Sequence, residues 1–178
     1  YIPPVEIDPP IIEKVVEGEN PPETEFSFLL KGENNAPMPE GSNGNTKTVA
    51  RTGSGEIESG AFSFASPGVY TYTISELNTG AEGWTYDNTV YILTFTVTLE
   101  DGTLYASCTL TKDGEGVDKA LFVNHYTQEE PDAVEIAGVK TWNHGNNPNP
   151  PDSIIVYVYA DGELTMQRQV TAKEGWKY

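Results

Sequence analysis

Three polar residues stand where a β-rich chain should bury apolar ones. Lys14 lies in IIEKVV, Glu76 in VYTYTISEL and Asn124 in LFVNHY. Successive strand side chains point to opposite faces. Lys14 therefore shares a face with Ile12 and Val16, Glu76 with Tyr70, Tyr72 and Ile74, and Asn124 with Phe122 and Tyr126. A lone buried charge or an unpaired buried amide is costly, so three such positions in one domain imply that they meet. An amine, a carboxylic acid and a carboxamide in a dry core are the ingredients of a self-formed Lys–Asn isopeptide bond. Lys14 would be the neutral nucleophile, because a low dielectric depresses a lysine pKa and raises that of an acid. Glu76, kept protonated, would donate to the Asn124 carboxamide and carry protons to the departing ammonia. Phe26, Phe28, Phe62, Phe64, Tyr70, Tyr72 and Phe95 are the aromatic residues available to exclude water around them. The same three residues also fit an inert arrangement, a buried Lys14–Glu76 ion pair with Asn124 hydrogen-bonded alongside. Alternation by itself favours that inert arrangement.

The elements that must position these residues read as strands. No stretch of helical length carries a sustained apolar stripe. Residues 1–10, YIPPVEIDPP, hold four prolines and read as an extended linker. Strands are expected near 11–17, in TEFSFLL, in VYTYTISEL after a turn at Ser66–Pro67–Gly68, in NTVYILTFTVTLE, in TLYASCTLT and in KALFVNHY. Asp101–Gly102 is a tight-hairpin signal. Residues 32–60, rich in Gly, Asn, Ser and Glu, read as a long loop or weak hairpin with KTVAR as an edge strand. Residues 127–133, TQEEPDA, read as a polar linker. A second β pattern follows over 134–178, with strands expected in VEIAGVKTW, SIIVYVYA and ELTMQRQV and a turn at Asp161–Gly162. Three strands are too few for an independent core, so this second domain is expected to be partial. The expected fold class is all-β, an immunoglobulin-like β-sandwich over 11–126 followed by a truncated β-sandwich.

The order of the motifs adds to the argument from alternation. IIEKVV, FSFASPGVYTYTISE, a run YD-x-x-x-Y-x-L-x-F-x-V and FVNHY together resemble the streptococcal pilin isopeptide-linkage domain of Gram-positive major pilins. The resemblance spans about residues 10–126. It implies that Lys14 of the first strand bonds to Asn124 of the last, with Glu76 as the catalytic acid. Tyr86 and Asp87 match the family's YD signature and are read as structural. The second region, GVKTWNHGNNPNPPDSIIVYVYADGE, resembles the start of a collagen-adhesin B-type (CnaB-like) repeat. That resemblance makes Lys140, on a face with Ile136 and Trp142, a candidate crosslink lysine, although a strand lysine reaching to solvent fits equally well.

Composition bounds the remaining choices. A formal net charge of −17 argues against nucleic acid and against anionic membrane surfaces, which need Lys/Arg patches. The single cysteine, Cys108, rules out an intramolecular disulfide and, alternating with Leu110, reads as a buried structural thiol. His125 and His144 are too few for a zinc site, and no loop has EF-hand spacing, so no metal or other cofactor is expected. No apolar run spans a bilayer and no signal peptide opens the chain, so a longer precursor is expected to carry signal and anchor. No LPxTG-type sorting signal and no assignable pilin-motif lysine are visible. The expected role is structural and non-enzymatic beyond one self-crosslinking turnover: a pilus shaft subunit or adhesin stalk on the cell wall of a Gram-positive bacterium. Its expected partners are other pilin subunits or host surface ligands. The alternative is an adhesin module that binds host glycan or matrix protein through the 32–60 loop; an accessory β-domain of a secreted enzyme is a third reading.

Overall fold

The computed structural model describes residues 2–128, 134–143, 149 and 151–178. The chain divides into two compact units, residues 1–129 and 130–178.

The first unit is an all-β sandwich. Its chain order runs β1 (Val5–Ile7), β2 (Ile12–Gly18), β3 (Glu25–Gly32), β4 (Thr46–Thr52), β5 (Gly55–Ile57), β6 (Phe62–Phe64) and β7 (Gly68–Glu76). It continues with β8 (Trp84–Thr85), β9 (Val90–Glu100), β10 (Thr103–Lys112), β11 (Glu115–Val117) and β12 (Ala120–Tyr126). One sheet has the order β11-β10-β9-β7-β3-β4; the facing sheet has the order β5-β2-β12-β8. Phe28 of the first sheet meets Phe122 of the second at 5.1 Å between ring centroids, and Tyr91 meets Phe122 at 5.2 Å. The core fills by alternation: Phe26, Phe28 and Leu30 of β3, Tyr72 and Ile74 of β7, and Tyr91, Leu93, Phe95 and Val97 of β9 all point inward.

Turn chemistry explains the hairpins. Asp101 and Gly102, between β9 and β10, both have positive φ, 48° and 80°. That pair of left-handed residues makes the type I′ turn whose twist matches the strands it joins. Asp113–Gly114 repeats it between β10 and β11, at 51° and 84°.

Two findings depart from the sequence expectations here. Val5–Ile7, inside the proline-rich segment read as linker, is a strand paired antiparallel with Phe62–Phe64. Prolines flank these three residues without interrupting them, so a short edge pairing survives. Residues 32–60 hold more strand than a long loop: KTVAR lies in β4, the expected edge strand, paired with β3, and the unexpected element is β5, which closes the other sheet against β2.

The feature that sets up the site is the pairing of β2 with β12. The first core strand and the last lie side by side and parallel, with Phe122 opposite Lys14 and Asn124 opposite Val16. Lys14 and Asn124 thus face the same core from neighbouring strands, offset by two residues.

The second unit contains β13 (Ser153–Ala160) and β14 (Glu163–Thr171), an antiparallel hairpin closed by Asp161 and Gly162 at φ 51° and 87°. A short 3₁₀ turn, Ala172–Glu174, follows. VEIAGVKTW, expected as a strand, is not one. Its residues are irregular apart from a single bridge between Val139 and Lys177. Among the described residues its backbone partners are confined to the short stretch 176–178, which bonds Gly138 and Lys140. A strand needs a neighbour along its whole length, and so short a stretch does not supply one.

Candidate functional site

Lys14 and Asn124 are both fully buried, as is the side chain of Glu76. The three meet at one atom. Glu76 Oε1 accepts a hydrogen bond from Lys14 Nζ at 2.8 Å and another from Asn124 Nδ2 at 2.8 Å. The two nitrogens therefore stand within twice 2.8 Å of each other. Lys14 comes from β2, Asn124 from β12 and Glu76 from the end of β7, in the opposing sheet. The Lys14 ammonium also lies 4.5 Å from the centre of the Phe26 ring and 6.0 Å from that of Phe28. Phe26, Phe28 and Phe122 wall the site. Phe62, Phe64, Tyr70, Tyr72 and Phe95 pack on one another as a separate ring cluster.

Burial sets the electrostatics. Loss of water pushes the Lys14 amine below its ordinary pKa, against the opposing pull of the Glu76 carboxylate. Burial pushes Glu76 up, outweighing the bonds from Lys14 and Asn124 and the nearby Asp87 backbone N–H. The second carboxyl oxygen, Oε2, is buried with no hydrogen-bond partner. An ionised carboxylate is poorly served by that surrounding, so both shifts favour a neutral amine beside a neutral acid.

Asp87 enters the site in a way its residue type did not signal. Its backbone N–H donates to Asn124 Oδ1 at 2.8 Å. Its carboxylate accepts from the Val123 N–H and the Thr89 N–H, each at 2.9 Å. Burial pushes the Asp87 carboxyl up, but the bonds from Thr89 and from the Val123 backbone prevail and hold it below the ordinary carboxylate value. The Tyr91 hydroxyl, donating to the Leu121 carbonyl at 2.6 Å, ties β9 to β12 just upstream.

The other candidates lie elsewhere. Lys140 is exposed; its amine donates to the Thr141 carbonyl at 2.9 Å and sits 4.8 Å from the Trp142 ring centre. Among the described residues it bonds neither a carboxyl nor a carboxamide. Cys108 is half-buried on β10 rather than fully buried, and loss of water pushes its thiol up, away from the reactive thiolate. His125 is exposed, its Nδ1 3.9 Å from Glu17; His144 lies outside the described residues. Among the described residues no helix is long and apolar enough to cross a membrane.

Comparison with known proteins places this geometry in context. Residues 10–127 match the family described as Spy0128-like isopeptide containing domain. Residues 136–178 match the Cna protein B-type domain. A collagen adhesin of Staphylococcus aureus is 28% identical over 111 residues, covering 61% of this chain but 9% of the adhesin. The chain thus spans about a tenth of that relative's length. Among solved structures, the major pilin of Streptococcus pyogenes aligns with a TM-score of 0.51 at 16% identity, over 92% of this chain and 71% of the pilin. A second major pilin from the same species aligns at 0.49 and 17% identity, over 100% of this chain and 74% of the pilin.

Proposed function

The chain belongs to the Spy0128-like isopeptide containing family, and from that membership we propose that it is a structural cell-surface protein whose first domain crosslinks itself, Lys14 to Asn124. The observation that carries this reading is the single Glu76 oxygen shared by the Lys14 amine and the Asn124 amide nitrogen. A proton passed from Lys14 to Glu76 leaves a neutral amine. That amine attacks the Asn124 Cγ, and the C=O electron pair moves onto Oδ1. Glu76 then moves a proton from the attacking nitrogen to Nδ2, and the C–N bond breaks as the carbonyl re-forms. The products are a secondary amide, ammonia and a protonated Glu76. The reaction happens once per chain, so Glu76 acts as a catalyst without making the protein an enzyme.

The physiological role that follows is mechanical: a pilus shaft subunit or adhesin stalk, exposed on the wall of a Gram-positive cell, with other subunits or host surface ligands as partners. The pilin-like domain followed by a collagen-adhesin-like one supports this reading.

The decisive measurement is intact mass combined with peptide mapping. The purified chain should lack one ammonia, with residues 14 and 124 in one branched peptide. Glu76→Ala should fold but keep its full mass. Glu76→Gln keeps the shape without the titratable proton and should slow bond formation by about 10²–10⁴-fold. Closing a loop of about 110 residues contributes on the order of 5 kcal/mol in the chain-entropy model, a melting shift of roughly 15–25 °C. A full-mass wild-type chain, or a Glu76→Ala chain that sheds ammonia at the wild-type rate, refutes the proposal.

A further inference from the structure

The contacts of Asn124 divide the work of the reaction between two groups. A carboxamide has an accepting end and a donating end. The accepting end, Oδ1, faces the Asp87 N–H at 2.8 Å, and the donating end, Nδ2, faces Glu76 Oε1 at 2.8 Å. Turning the amide over would set its NH₂ against a backbone N–H, so the Asp87 donor fixes which end faces which. Glu76 consequently touches both nitrogens and not the carbonyl oxygen. It is well placed to move protons from nitrogen to nitrogen and poorly placed to steady the charge that grows on Oδ1 during attack.

We propose that the backbone N–H of Asp87 is the oxyanion donor for isopeptide formation, and that the Asp87 carboxylate is the bracket that aims it. The proposal rests on the Lys14–Asn124 bond proposed above. When the Lys14 nitrogen bonds to Cγ, the carbonyl electron pair moves to Oδ1, and this N–H receives it. When ammonia leaves, the pair returns and the same N–H holds the new isopeptide carbonyl. A donor already in place needs no rearrangement at the moment of reaction, which is where such groups gain their effect. The bracket is visible in the other bonds. Asp87 Oδ2 accepts from the N–H of Val123, the residue before Asn124, and Asp87 Oδ1 accepts from the N–H of Thr89 two residues on. One side chain thus fixes both the strand that carries the electrophile and the turn that carries the donor. Asp87 is a positioning residue through its carboxylate and touches the reacting atoms only through its main chain.

The test removes the N–H and leaves everything else. The α-hydroxy analogue of aspartate, incorporated at position 87 of the full chain during cell-free synthesis, replaces the Tyr86–Asp87 amide by an ester and keeps the carboxylate. Ammonia loss is followed by intact mass from the moment of release, across a range of pH. The ester chain should form the bond about 100-fold or more slowly, with the shape of the pH profile unchanged. A rate within about threefold of the all-amide chain overturns the proposal. So does a profile merely displaced along the pH axis, which would mean that the N–H acts on Glu76 instead. An all-amide chain that never loses ammonia refutes the bond itself, whereas an all-amide chain that bonds beside an unslowed ester chain refutes only the role of Asp87. A second measurement guards against an ester chain that does not fold. In the unlinked Lys14→Met chain, the Asp87 amide proton should show scalar coupling across its hydrogen bond to the Asn124 Cγ. Absence of that coupling overturns the proposal independently.

Discussion

Lys14, Glu76 and Asn124 were legible in the sequence because each contradicts the alternation around it. A charged or amide residue on a face otherwise filled by Ile, Val, Tyr and Phe demands a reason. Asp87 gave no such sign. Its contact with Asn124 runs through a backbone N–H that every residue but proline possesses, and its carboxylate looks like ordinary turn chemistry in YDNT. The aromatic wall was partly legible: Phe26 and Phe28 lie against the lysine, while Phe122, opposite Lys14 on β12, shares a face with Asn124 by alternation but is absent from the aromatic set expected to exclude water. A pH prediction belongs at this scale. The folded pKa of Asp87 lies below its ordinary value, so the ionised form is favoured by folding. Its contribution is complete above the unfolded carboxylate pKa and is lost as pH falls through the lower folded one. In the unlinked Glu76→Ala chain, hydrogen exchange at the Val123 and Thr89 amides should therefore accelerate in acid before the rest of the core does. Exchange at these two amides that stays in step with Leu93 and Phe95 throughout the acid range would count against the bracket.

Strand existence followed from patterning, but partner choice did not. Periodicity locates β2 and β12 without revealing that they pair, and parallel pairing between the first and last core strands is what brings Lys14 beside Asn124. The edges were hardest to read. β1 and β5 are three-residue segments whose order comes from neighbours rather than from their own apolar faces. VEIAGVKTW fails in the opposite sense: it has a strand's composition but, among the described residues, pairs only around Val139, with residues 176–178. Gly18 offers a test of the β2–β12 pairing. It pairs with Tyr126 at φ +113°, and a Cβ there would fall 2.1 Å from the Tyr126 carbonyl oxygen. Gly18→Ala should cost about 2 kcal/mol or more in the unlinked chain. Chemical denaturation that finds the variant as stable as its parent would show that this end of the pairing contributes little. Lys140 offers the matching test in the second unit. Ile155, Tyr157 and Tyr159 leave an apolar face of β13 exposed, and strands able to cover it would also bring partners to Lys140. A chain in which added strands cover that face should lose a second ammonia, with Lys140 in the branched peptide. If it loses one only, and Lys140→Ala changes neither mass nor melting temperature, there is no second bond.

At the scale of the whole molecule, the parallel arrangement decides how the first domain bears load. The chain enters the core at the start of β2 and leaves it at the end of β12, and parallel strands put those points at opposite ends of the sheet. Tension along the chain would shear β2 against β12, a ladder of individually weak hydrogen bonds. A covalent link from Lys14 to Asn124 changes the path. Force would run from residue 14 directly to residue 124, and the segment between them, including β3 to β11, would carry none of it. The net charge of −17 opposes non-specific association between copies. The prediction is a length. In single-molecule stretching of the full chain, the unlinked Glu76→Ala protein should release the whole enclosed segment of about 110 residues, a gain of roughly 360–400 Å in contour at full extension. The wild-type first domain should show no such step at any force below covalent rupture. A wild-type trace that contains the full step means that the termini are not joined through the core, and the load-bearing role fails with it.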